Sequence, residues 1–174
     1  MSINNLTPTR EIVERLRVPL DALPQLQNYR GEIIAYCDGG CRPSNPGRGV
    51  AGIVLQGEAG LWLQHSVYLG ENITNNQAEL AAVLLALKWV SAMPEGRFLT
   101  IKLDSQVTCK LIETGRAKLA HLRELLREVK KPEQLAAWDV VWHPREENYL
   151  ADEMVDYLYR LGLPEWHNLM APSR

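Results

Sequence analysis

Long apolar runs are missing from this sequence. The longest uninterrupted apolar stretch, residues 80–87, is eight residues, against the roughly 20 that a membrane-spanning helix needs. A transmembrane helix is therefore excluded. Polar uncharged side chains are scattered through residues 1–10, so neither a secretory apolar region nor an Arg-rich transit pattern is legible, and a cytoplasmic location is expected. Cysteine is scarce: Cys37, Cys41 and Cys109 are the three present. An odd number at low density argues against a disulfide-stapled scaffold and fits free thiols. Zinc is not expected, because Cys37 and Cys41 lack a second pair and His65, His121, His143 and His167 are scattered. Basic excess is missing too. With 19 Lys and Arg against 21 Asp and Glu, the net charge is −2, so any nucleic-acid contact must rest on a local patch.

What is present suits one globular domain: 174 residues, 46% apolar and 23% charged. Residues 1–30, punctuated by Pro8, Pro19 and Pro24, read as an N-terminal extension with one brief helix around Ile12, Val13 and Leu16. Ile33 to Cys37 form a β-prone run that ends at Asp38 before a Gly- and Pro-rich turn over residues 39–49. Residues 50–56 and 61–69 read as a hairpin. Strong helix formers fill residues 78–90, apolar nearly all round and so expected to be buried. Residues 98–103 read as a fourth strand, helices follow from Ser105 and from Leu119, residues 138–142 give a fifth strand, and a last helix spans residues 147–161. The order βββαβααβα implies an α/β fold in which a five-stranded mixed sheet is flanked by helices. The folded domain is expected over residues 31–162, with residues 163–174 as a C-terminal tail.

Four acids fall where strands stop or helices start: Asp38, Glu79, Asp104 and Asp152. Each has an ordinary local use. Asp38 before two glycines suits a turn, Asp104 before Ser105 suits a helix cap, Glu79 three residues after Asn76 imitates a capping box, and Asp152 suits a helix start. Capping does not require their polar company, however: Asn45, Thr74, Asn75, Asn76, Gln106 and Asn148. Clustered carboxylates repel unless hard divalent cations neutralise them, and all-oxygen ligation selects Mg²⁺ or Mn²⁺. Amides beside such a cluster suit contact with nucleic acid.

Residues 36–41 (Tyr-Cys-Asp-Gly-Gly-Cys) with Asn45-Pro46-Gly47, residues 74–80 (Thr-Asn-Asn-Gln-Ala-Glu-Leu), residues 103–106 (Leu-Asp-Ser-Gln), and Arg145-Glu146-Glu147-Asn148 with Ala151-Asp152 resemble, in order, the motifs of type 1 ribonuclease H over residues 32–161. The resemblance implies a ribonuclease H-like fold and an endonuclease that cuts the RNA strand of RNA/DNA hybrids with little sequence preference, leaving 5′-phosphate and 3′-hydroxyl ends. It implies that Asp38, Glu79, Asp104 and Asp152 hold two Mg²⁺ ions, with Mn²⁺ as a substitute. Cys41, Asn45, Asn75, Asn76 and Gln106 would contact ribose 2′-hydroxyls or base edges, Thr74 and Asn75 a DNA phosphate, and Asn148 would steady the last loop. A monomer is expected.

Some positions depart from the family pattern. The first turn has one extra residue at Pro43-Ser44, and the loop before Asp152 is short. Its one histidine candidate, His143, follows Trp142 and suits a hydrogen-bonded structural role as well as a catalytic one. Residues 105–131 hold seven Lys and Arg against three Glu. That excess reads either as a phosphate-binding patch or as a solvated face with i,i+4 charge pairs. Of the tryptophans, Trp62, Trp89, Trp138 and Trp142 suit the core, and Trp166 is free enough for a partner. Two other functions stay open: a hybrid-binding module without catalysis, and a junction-cutting nuclease on the same fold.

Overall fold

The computed structural model describes residues 5–27, 29, 31–133, 135–162 and 164–170; of the two flanking segments, residues 1–4, 28, 30, 163 and 171–174 lie outside them. Six strands form one sheet in the order β5-β4-β1-β2-β3-β6, one more than the sequence pattern predicts. They are β1 (Ile33–Arg42), β2 (Gly47–Gly57), β3 (Trp62–Ile73), β4 (Arg97–Leu103), β5 (Leu135–Trp142) and β6 (Glu165–Met170). β1, β2, β3 and β6 pair antiparallel; β1, β4 and β5 pair parallel. The helices are α1 (Thr9–Arg15), α2 (Leu23–Leu26), α3 (Asn75–Ser91), α4 (Gln106–Thr114), α5 (Ala120–Glu128) and α6 (Tyr149–Leu161).

Alternation along β1 sets the layers. Ile33, Ala35 and Cys37 point to one face and are buried in the main core, where α3 packs; Asp38 is on the opposite face, which α6 covers in part. α3 is apolar all round because the sheet lies on one side of it and α5 and α4 pack on the other, and among its side chains Leu80, Ala81, Ala82, Val83, Leu85 and Trp89 are fully buried. β1 runs past the predicted stop at Asp38: Gly39 pairs with Ala51 and Arg42 with Arg48. The turn shrinks to residues 43–46. Gly39 is needed there for contact, since a Cβ on it would lie 2.2 Å from the Ala78 carbonyl. Only a bare backbone lets the first turn of α3 rest on β1.

The two flanking segments are built into the same body. Ile12, Leu16 and Leu26 are fully buried in the main core, each worth about 1.5–3 kcal/mol of apolar burial. The C-terminal segment, expected to be a tail, supplies β6. Its register on β3 sets Glu165 near His65, whose Nδ1 accepts from the Trp89 indole N–H at 2.8 Å. An indole only donates, so the His65 proton must sit on Nε2, which donates to Glu165 Oε1 at 2.9 Å. That bond holds the Glu165 carboxyl below its usual range, and burial holds His65 below its own. Trp166, predicted to be free, stacks edge-on against Tyr157 at 4.9 Å. Trp142, predicted to be core, is 44% exposed because β5 is an edge strand.

Candidate active site

Parallel pairing of β1 and β4 places their C-terminal ends side by side, the usual position for a site in an α/β sheet. Tyr36 pairs with Lys102; two residues on, Asp38 comes beside Asp104. Glu79 arrives from the start of the second turn of α3, just past the Ala78 carbonyl that rests on Gly39. Ligand oxygens of Asp38, Glu79 and Asp104 lie within 4.8 Å of one another. Asp152, in the first turn of α6, lines the same cleft but stands outside the trio, with Oδ1 3.4 Å from Arg145 Nη2. The cleft has a volume of about 450 Å³, and its walls include Cys41, Arg42, Asn75, Asn76 and Arg145.

None of the three trio acids serves the local use its sequence position suggests. Asp38 is paired inside β1 rather than in a turn. Thr74, not Asn76, caps α3: its hydroxyl accepts from the Gln77 N–H at 3.1 Å, and Gln77 Oε1 accepts from the Thr74 N–H at 2.9 Å. Ser105, not Asp104, caps α4 by accepting from Thr108 N–H at 3.1 Å. Asp104 is instead held in place by its neighbours, as its carbonyl accepts the Trp142 indole N–H at 3.0 Å.

Crowding is costly to these carboxylates. Burial, then the charges of Asp104 and Asp152, push Asp38 up to about 7, against the opposing pull of the Gly39 N–H and Arg145. Burial and the Asp38 and Asp104 charges hold Glu79 well above the carboxylate range. Glu79 Oε2 is buried and, among the described residues, has no hydrogen-bond partner. An all-oxygen donor set with mutual repulsion and an unpaired buried oxygen fits a hard divalent cation.

The amide positions converge on the rim. Asn45 Oδ1 accepts from the Asn75 N–H at 3.1 Å, and Asn75 Oδ1 accepts from the Cys41 N–H and thiol, both at 3.1 Å. Burial pushes the Cys41 thiol up, so it remains an S–H donor. Thus Asn45 joins the cluster despite the extra residue in its turn. Asn76 lines the cleft, and Gln106 is exposed at the start of α4.

His143 sits elsewhere. It is 7% exposed and is not part of the cleft wall. Its Nε2 donates to Asn148 Oδ1 at 3.1 Å, while Asn148 Nδ2 donates to the Cys37 carbonyl at 2.9 Å. This bridge ties the loop before α6 to β1. The residue that sequence reading missed is Arg145, quoted in the last motif but given no role. Only the folded loop brings its cation to Asp152, Asp38 and Asp104. In the basic segment Arg123, Glu124, Arg127 and Glu128 form the expected solvated face, but among the described residues the ion pairs include neither Arg123 nor Arg127.

Residues 30–156 match the family model for RNase H. Among solved structures, the chain is 27% identical to RNase H1 from the halophilic archaeon Halobacterium salinarum NRC-1, with a TM-score of 0.65, covering 75% of this chain and 98% of that one. It is 31% identical to LC11-RNase H1, solved in complex with an RNA/DNA hybrid, with a TM-score of 0.62 and coverage of 72% and 95%. The N-terminal RNase H domain of Rv2228c from Mycobacterium tuberculosis shares the fold at 22% identity, with a TM-score of 0.58 and coverage of 72% and 97%. No curated protein matches the chain.

Proposed function

Since the chain belongs to the RNase H family and is a ribonuclease H, we propose that it hydrolyses the RNA strand of RNA/DNA hybrids endonucleolytically. The observation that carries this is the meeting of Asp38, Glu79 and Asp104 within 4.8 Å, beside a rim of amides. LC11-RNase H1, whose own structure holds an RNA/DNA hybrid, supports the choice of substrate.

Asp38, Glu79 and Asp104, with Asp152 across the cleft, would hold the divalent cation, and the all-oxygen set favours Mg²⁺ with Mn²⁺ as a substitute. Two such ions, when bound, supply an activated water on one side of the phosphodiester and charge stabilisation for the leaving oxygen on the other, giving 5′-phosphate and 3′-hydroxyl ends. The carboxylates serve as ligands rather than proton carriers. Asn75, Asn76, Gln106 and the Cys41 thiol read the ribose 2′-hydroxyl, since an amide both donates and accepts and needs no particular base. Asn45 orients Asn75 through the Asn75 N–H, and Thr74 and Asn75 face the DNA phosphate. Arg145, 3.4 Å from Asp152, offsets part of the negative charge of the cleft. Asn148 and His143 brace the loop that presents Asp152. The exposed cations of residues 105–131 supply backbone attraction. The protein acts as a monomer in the cytoplasm.

End-labelled RNA/DNA hybrid, double-stranded RNA and double-stranded DNA, each incubated with Mg²⁺, Mn²⁺ or EDTA, test the proposal. Cutting confined to the hybrid's RNA strand and dependent on metal is expected. Tight hybrid binding without incision would point to a non-catalytic module, and cutting of branched DNA to a junction nuclease.

A further inference from the structure

Thr7 and Arg15 lie outside the part of the chain that matches the family model, which begins at residue 30. Both nevertheless hold the end of β3, just before the residues that form the amide rim. Thr7 makes three hydrogen bonds at the β3–α3 junction. Its hydroxyl donates to the Glu71 carbonyl, its N–H donates to the Asn72 carbonyl at 3.2 Å, and its own carbonyl accepts from Gln77 Nε2 at 3.3 Å. Arg15 Nη1 donates to the Leu69 carbonyl in the same stretch.

This stretch needs holding. Gly70 and Asn72 have φ of 113° and 54°, and the β2–β3 register shifts between Gly47 and Gly49 and again between Gly49 and Val50. A left-handed non-glycine residue persists where its surroundings over-determine it. Gln77 then carries the hold onward. Fully buried, it accepts from the Thr74 N–H through Oε1 and donates to Thr7 through Nε2. One amide side chain thus joins the N-terminal segment to the cap of α3. From that cap the chain of contacts continues through Asn75 to Asn45 and Cys41.

We propose that Thr7 is a positioning residue for substrate recognition: by clasping the β3–α3 junction it fixes Thr74, Asn75 and Asn76 in the arrangement that meets the hybrid. The inference rests on the reading of these amides given under Proposed function. Groups fixed before binding lose less freedom on binding, so the clasp acts on affinity and leaves the metal site alone.

Full-length Thr7→Val and Thr7→Ser variants test it, with amide hydrogen exchange over residues 72–77, steady-state cleavage of a hybrid and Mn²⁺ titration. Loss of one hydroxyl bond is expected to speed exchange about fivefold and raise KM about fivefold in Thr7→Val, with kcat within about twofold and Mn²⁺ affinity unchanged. Thr7→Ser, which keeps the hydroxyl, restores both values. Unchanged exchange in Thr7→Val would overturn the clasp. Faster exchange with an unmoved KM would overturn its role in recognition. Equal losses in Thr7→Val and Thr7→Ser would reduce Thr7 to packing. If the wild type neither cuts nor binds hybrid, the hybrid reading falls and this inference with it. That result differs from failure of the clasp, because exchange at residues 72–77 would still quicken in Thr7→Val.

Discussion

Replacing Asp38 with asparagine should make the metal-free protein more stable while nearly abolishing cleavage. Asp38 has an ordinary carboxyl value of 3.8 and is pushed up to about 7, first by burial and then by Asp104 and Asp152. At 1.36 kcal/mol per pH unit, that interval corresponds to about 4 kcal/mol. The folded state therefore binds this proton more tightly than the unfolded chain. With EDTA present, stability is highest below the unfolded value near 4, falls as pH rises to about 7, and levels off above it. Asparagine carries no charge to repel, but its amide needs partners in a buried site. A gain of about 1–3 kcal/mol over the wild type at pH 8 is expected, within the bound of about 4. Urea unfolding followed by tryptophan fluorescence, at pH 5 and pH 8 in EDTA, measures it, with hybrid cleavage in Mg²⁺ run in parallel. An Asp38→Asn protein no more stable than wild type at pH 8, or a wild type whose stability is flat between pH 4 and 7, would refute the repulsive cluster.

The remaining expectations concern the metal, the rim, the brace and the backbone contact. Saturating Mn²⁺ should raise the urea midpoint of the wild type at pH 8 by an amount that grows with metal concentration, and much less in Asp38→Asn; equal shifts in both would place the ion elsewhere. Asn75→Ala should raise KM for hybrid about tenfold while leaving Mn²⁺ affinity intact, as steady-state kinetics and calorimetry would show. His143→Ala should cost about 1–3 kcal/mol of stability, because Asn148 Oδ1 is left buried without its donor, yet slow cleavage by no more than about threefold; a loss of several orders of magnitude would make His143 catalytic. Gly39→Ala should destabilise by about 3 kcal/mol or more, since its Cβ would meet the Ala78 carbonyl at 2.2 Å, and a near-normal urea midpoint would contradict that contact.

The element types were legible in the sequence because their signals are local: the short β-prone runs of β1 and β2, the apolar filling of α3, and the Gly115 and Gly162 stops of α4 and α6 can be read from neighbouring residues. The acids and amides were legible through their order along the chain, as motifs rather than as a measured shape. What escaped depends on distant partners. Gly39 looks like a turn glycine until Ala78 is laid over it. Glu79 looks like half of a capping box until Thr74 takes the cap. β6, Glu-Trp-His-Asn-Leu-Met, carries neither alternation nor a β-branched run to announce a strand, and becomes one because β3 offers an open edge and His65 offers Glu165 a proton. Arg145 has no signal in its spacing; only the loop tied down by Asn148 turns it toward Asp152. Composition and pattern determined which elements form, since those depend on the nearest residues. Tertiary structure alone decided which charges share one cleft and which bonds hold its rim, since both arise from residues brought together across the sheet.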